Sequence, residues 1–203
     1  SMQAQWQHDG GAHKTVSPVS LVVSAFAPVA DVRAQLTPLL SREPHTERWL
    51  MGLGAGKQRR GGPILAQCHG AFGGACPDLD DPQRLRGFFE LIRDARTAGL
   101  LLAYHDRSDG GAFAALCEMA FCSHTGLDID LDGWGEDRAD DVFRTLFYEE
   151  LGALVQIAAD DRVEFADLVA RHGLIECAQR IARPTGAPAI RVLDEGKPLA
   201  EWR

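Results

Sequence analysis

The sequence predicts an α/β domain, and three observations predict it. Short apolar runs alternate with amphipathic stretches along the chain. No internal repeat or low-complexity tract interrupts that alternation. Residues 100–125, LLLAYHDRSDGGAFAALCEMAFCSHT, place an apolar run, a short acidic glycine turn and a helical pattern in immediate succession. Leu100 to Tyr104 form the apolar run expected of a strand covered on both faces. Phe113, Leu116, Cys117, Ala120 and His124 recur at helical spacing and predict one core-facing stripe.

The other elements follow in order. Residues 1–14 are polar and read as a tail, with Ser1-Met2 as a tag remnant and the domain running over 15–203. Val19 to Val29 reads as a strand stopped by Pro28, and Asp31 can cap a short helix through Leu36. Trp49 to Leu53 is a strand, followed by the loop Gly54–Gly62. Asp80 or Asp81 opens a helix from Pro82 to Ala98, with Gly99 just past its end and Leu85, Phe88, Phe89, Leu91 and Ile92 on its buried side. Leu127, Ile129 and Leu131 alternate with aspartates, the pattern of a half-exposed strand. A helix over 138–148, a strand over Ala153–Ala158 and an amphipathic helix over 160–172 come next. Leu174–Ile181, Ala189–Leu193 and Leu199–Trp202 read as short closing strands.

Composition narrows the function classes. The formal charge is −8, and no basic run extends beyond Arg59-Arg60, so binding nucleic acid through phosphate neutralisation is not expected. No apolar run reaches the length of a membrane span and the start has no signal-peptide core, so the expected location is the cytoplasm. Five cysteines without a CxxC pair argue against a disulfide framework and against a zinc site.

The chemistry concentrates between His105 and Gly111, at the carboxyl end of a strand, where open α/β sheets place ligands. Ser108 or Asp109 can cap the following helix, and Gly110 and Gly111 let an anion approach backbone N–H groups. Asp106 can hold the cation that accompanies a phosphate. The plainer reading makes Asp106 and Asp109 ordinary turn residues and His105 structural rather than a base. Ser108 lacks the GxSxG elbow of a nucleophile. Cys117, on the apolar stripe, reads as an inert core thiol. MGLGAGKQRRGG (51–62) fails the phosphate-loop pattern, because Gln58 stands where Ser or Thr should be and Met51 where the first glycine should be. It remains either a plain turn or a loop that contacts a phosphate or a partner. Glu149 and Glu150 precede a strand, with a solvated edge as the simpler reading.

Four segments together resemble one family. They are VSPVSLVVSAFAPVADVRAQLTPLL (16–40), the LGAG…GG…LAQ loop (53–67), LLAYHDRSDGGAFAALCEMAF (101–121) and EELGALVQIAA (149–159). In order and spacing they are similar to the carboxyl-terminal part of the synthetase region of the phosphoribosylformylglycinamidine synthase family, over about residues 15–182. The resemblance implies a mixed sheet flanked by helices, like the carboxyl-terminal domain of aminoimidazole ribonucleotide synthetase. It implies a part of a glutamine-dependent, ATP-dependent ligase of purine biosynthesis, specifically the carboxyl-terminal half of the second of two tandem synthetase units. Matched residue by residue, Asp106 is the implied Mg2+ ligand and Ser108 the implied nucleotide (ATP/ADP) contact. The remaining ligands, the catalytic site and the glutaminase cysteine belong to synthetase and glutaminase domains outside these residues. These residues alone are therefore expected to be inactive, their nucleotide site auxiliary. Two rivals stand beside this reading: a structural docking module without ligand contact, and a complete small enzyme of the wider ATP-binding superfamily.

Overall fold

The computed structural model describes residues 3–16, 22–29, 31–71, 73–137 and 141–203. They divide into two units, Ser1–Gln35 and Leu36–Arg203.

In the first unit, β1 (Gln3–His8) and β2 (Gly11–Val16) form an antiparallel hairpin in the stretch that reads as a polar tail. Asp9 and Gly10, both at positive φ, make its two-residue turn, the conformation whose twist matches the flanking strands. The strand expected over Val19–Val29 does not form at 22–29, which have no regular secondary structure; residues 19–21 lie outside the described residues. Asp31 does cap a helix, accepting from Arg33 N at 3.0 Å, but it is one 3₁₀ turn, Val32–Ala34.

The second unit is a seven-stranded mixed sheet with helices on both faces. Its strands are β3 (Thr46–Gly52), β4 (Leu101–Asp106), β5 (Gly126–Asp130), β6 (Gly152–Ala158), β7 (Ala178–Thr185), β8 (Ile190–Asp194) and β9 (Lys197–Trp202). They lie in the order β4-β6-β3-β7-β5-β8-β9, with β5–β8 the parallel pair and the other neighbours antiparallel. The helices are α1 (Ile64–Cys68), α2 (Pro82–Thr97), α3 (Gly111–Ser123), α4 (Val142–Phe147) and α5 (Arg162–Arg171).

Period-2 alternation along the strands feeds two cores. Leu50, Ala103, Leu127, Ile129, Leu154 and Ile181 pack with α3, α4 and Trp134. Met51, Leu101, Ala153, Val155 and Ile157 pack on the opposite face with α2 and α5. Each fully buried leucine or isoleucine contributes about 1.5–3 kcal/mol. Arg48 is also fully buried, donating to Thr46 Oγ1 at 3.2 Å, and burial lowers its pKa to about 10.

Several expectations need correction. The Leu100–Tyr104 run, expected to be covered on both faces, enters β4 at the edge of the sheet, where Leu102 is exposed. On α2, capped by Asp81, Phe89 is 65% exposed while Phe88, Leu91 and Ala95 are buried. The buried face of α3 includes Leu116 and Ala120 as expected, with Ala112, Ala115, Met119 and Ser123, while Phe113 and Cys117 are only half-buried beside it. β5 is buried on both faces, because Arg191 and Arg183 cover Asp128. The expected helix over 138–148 spans Val142–Phe147, with 138–140 outside the described residues. The strand expected over Leu174–Ile181 begins as a 3₁₀ turn, Ile175–Cys177, before β7.

Candidate functional site

Three segments meet where β3 and β4 end and β6 begins: residues 105–111, the loop after β3, and residues 148–152. The register that brings them together pairs Asp106 with Ala153 and Gly52 with Gly152.

The first segment is the HDRSDGG turn. Asp106 is exposed at the end of β4, and one carboxylate oxygen, Oδ1, accepts from the Tyr104 hydroxyl at 2.6 Å. Burial, first, and the Asp106 hydrogen bond, second, push the Tyr104 phenol above its usual pKa, so it stays a proton donor. His105 sits between Glu118 Oε2 (2.7 Å) and the Asp106 carbonyl (2.8 Å), which ties the strand end to α3 and fits the structural reading of this histidine. Ser108 and Asp109 are exposed. Neither side chain caps α3: the N-cap is Gly110, at φ +83° and without a side-chain cap. A Cβ on Gly110 would meet Ala114 Cβ at 2.6 Å, and one on Gly111 (φ +67°) would meet the Leu146 carbonyl at 2.8 Å. Both glycines are therefore required by conformation and by close approach.

The N–H groups of those glycines are not open to an anion as the sequence suggested. Gly110 N donates to Glu149 Oε1 at 2.8 Å, and Gly111 N donates to the Ser108 carbonyl at 2.9 Å. The same Glu149 oxygen accepts from Ile64 N, the first residue of α1, at 2.9 Å. The Glu149 carboxylate thus occupies Gly110 N, and the Ser108 carbonyl occupies Gly111 N.

Glu150 is likewise no solvated edge. It is fully buried and grips Arg59 of the glycine loop through three bonds: Arg59 N (2.9 Å), Nε (2.7 Å) and a terminal nitrogen (2.6 Å). That pairing, with Asp80 adding to it, raises the Arg59 pKa above its usual value. Lys57 reaches the same Asp80 at 2.7 Å. From the turn, Arg107 donates to the carbonyls of Glu150 (2.5 Å) and Leu151 (2.8 Å), its guanidinium 4.4 Å from the centre of the Tyr148 ring. Bidentate arginine geometry of this kind fixes position as well as charge.

Arg59, Arg107, Glu149 and Glu150 were not singled out by sequence reasoning as a set. The available signal was an acidic pair before a strand and a basic pair in a glycine loop. Arg59 and Glu150 lie 91 residues apart, so spacing could not join them.

A divalent cation would find the exposed Asp106 carboxylate here, with the exposed Ser108 hydroxyl and Asp109 carboxylate on the same turn, but among the described residues no group of three His, Cys, Asp or Glu. Magnesium needs several oxygens, so the residues fit a contribution to a shared site. Cys117 does not contribute a reactive thiol: burial, and then the neighbouring Glu118, raise its pKa to about 11.

Comparison with known proteins gives the same architecture. The solved structure of Thermotoga maritima PurL complexed with ATP superposes with a TM-score of 0.65 at 16% identity, over 84% of this chain and 27% of that one. Thermotoga maritima PurL complexed with FGAR matches with a TM-score of 0.66 at 17% identity, over 84% of this chain and 29% of that one. The hydrogenase maturation protein HypE of E. coli matches at 0.56 and 14% identity, over 81% of this chain and 50% of that one. This chain therefore spans little more than a quarter of the PurL chains it matches, and at these identities the likeness is one of fold. A sequence family described as AIR synthase related protein, C-terminal domain, matches residues 47–195. That range holds the whole sheet up to β9 and all three segments of the site, and the chain belongs to this family.

Proposed function

We propose that these residues form the carboxyl-terminal half of the second synthetase unit of a phosphoribosylformylglycinamidine synthase. That enzyme converts formylglycinamide ribonucleotide to its amidine with ATP and glutamine-derived ammonia, in the purine pathway of the cytoplasm. Its partners would be the other synthetase domains and the glutaminase of the same enzyme. In this role the domain supplies Asp106 to Mg2+ and Ser108 to a bound ATP or ADP, at an auxiliary nucleotide site completed by an amino-terminal half. When bound, the cation neutralises nucleotide phosphate charge. This chain's own residues hold that turn in place: Tyr104 and His105 hold the strand end, and Glu149, Glu150 and Arg107 clamp the turn to the glycine loop. Alone, these residues are inactive.

The observation that carries the reading is the exposure of Asp106 and Ser108 together, on a turn fixed to two other loops. In the full-length enzyme, Asp106→Asn should release the auxiliary nucleotide during gel filtration, while the unfolding midpoint is unchanged. Nucleotide retained at the wild-type level would remove Asp106 from the site.

A second reading, a docking module without ligand contact, is favoured by the occupation of Gly110 N and Gly111 N within the chain. A groove of about 560 Å³ lined by Phe113, Phe121, Ile190 and Trp202 also suits it, with Phe121 67% and Trp202 49% exposed. Nucleotide retention separates the two readings.

A further inference from the structure

Asp106 is held by more than its backbone. Tyr104 and Asp106 are two residues apart on β4, so both side chains lie on one face of the strand. The Tyr104 ring packs against the α2–α5 core, its backbone N donates to the Thr37 carbonyl at 2.9 Å, and its hydroxyl donates to Asp106 Oδ1 at 2.6 Å. His105, on the opposite face, is held by Glu118 of α3. The strand end is thus fixed on both sides, and among the described residues the Tyr104 hydroxyl is the one side-chain donor to the Asp106 carboxylate. One oxygen of that carboxylate is spoken for; Oδ2 is left for a ligand.

We propose that Tyr104 is the positioning residue of the cation site, orienting Asp106 so that it binds a divalent cation through Oδ2 alone. The inference rests on the reading of Asp106 as a metal ligand given above. Outer hydrogen bonds of this kind orient ligating carboxylates, and their loss typically weakens metal binding 10–100-fold. Tyr104→Phe removes the hydroxyl and keeps the ring that packs on the core, so a purely structural role predicts no change in metal affinity.

The test is Mn2+ binding to the full-length enzyme, followed by electron paramagnetic resonance at saturating ADP, in wild type, Tyr104→Phe and Asp106→Asn. Unfolding midpoints are measured in parallel. The expected result is about a tenfold weaker Mn2+ affinity for Tyr104→Phe at an unchanged midpoint, and loss of the site in Asp106→Asn. Wild-type affinity in Tyr104→Phe with loss in Asp106→Asn overturns the role of Tyr104 and leaves the cation site standing. Wild-type affinity in Asp106→Asn overturns the cation site and the inference with it. Independently of any variant's folding, the carboxylate stretching bands of the wild-type Mn2+ complex should show monodentate splitting. Bidentate splitting would overturn the proposed geometry.

Discussion

Glu47 shows what a single carboxylate does in this sheet. It is 6% exposed at the start of β3, and it accepts from Trp49 Nε1 at 3.2 Å, from Arg180 at 2.9 Å and from Arg162. Burial alone raises the Glu47 pKa, but the Arg162 and Arg180 hydrogen bonds outweigh it and hold the carboxyl below its ordinary value. A carboxyl depressed in the folded state stabilises the fold above its unfolded pKa and loses that contribution as pH falls through the folded value. Glu47→Gln should therefore cost about 1–3 kcal/mol at pH 7, measured by urea unfolding. The difference from wild type should shrink below the ordinary carboxyl range near about pH 4. A pH-independent difference would mean that Glu47 acts through packing and not charge. Asp106 is the opposite case: it is exposed, and one of its oxygens accepts from the Tyr104 hydroxyl.

At the scale of elements, the decisive piece is the junction of the HDRSDGG turn with α3. Gly111 adopts φ +67° where α3 passes the end of α4, 2.8 Å from the Leu146 carbonyl to a would-be Cβ. Gly111→Ala should cost about 2–4 kcal/mol from left-handed strain and overpacking, seen as a lower urea midpoint. A midpoint equal to wild type would show that the junction tolerates relaxation. The strands of the seven-stranded sheet, α2 and α5 were legible in sequence because local signals specify them, whereas the β1–β2 hairpin was read as a polar tail. Asp81 and Gly99 bracket α2, Gly173 follows α5, and the 153–158 run is buried on both faces. Sequence alone missed what depends on distant partners. Val22, Val23 and Phe26 have strand propensity, yet they are 76–96% exposed and unpaired within their unit; propensity without a partner strand forms nothing. Glu149 and Glu150 read as a solvated edge because their donors, Gly110, Ile64 and Arg59, are 39, 85 and 91 residues away. The strand–turn–helix around Asp106 and Ser108 was legible because it is contiguous, while the clamp that fixes the turn is not.

In the second unit, the sheet is a scaffold that gathers three loops at one end and exposes the Asp106 and Asp109 carboxylates there. The family match over residues 47–195 accounts for the scaffold. The incomplete ligand set accounts for the expectation that these residues act only with a second half, since among the described residues no three candidate ligands gather and Mg2+ requires several oxygens. Hence the binding of Mg-ATP should depend on what docks beside Asp106, not on this unit's own stability. The most direct measurement is isothermal calorimetry of Mg-ATP with these 203 residues alone and again with the amino-terminal synthetase half added as a separate polypeptide. The expected result is no measurable heat of binding alone and saturable binding with the added half, lost in Asp106→Asn. Tight Mg-ATP binding by the 203 residues alone would contradict a shared site.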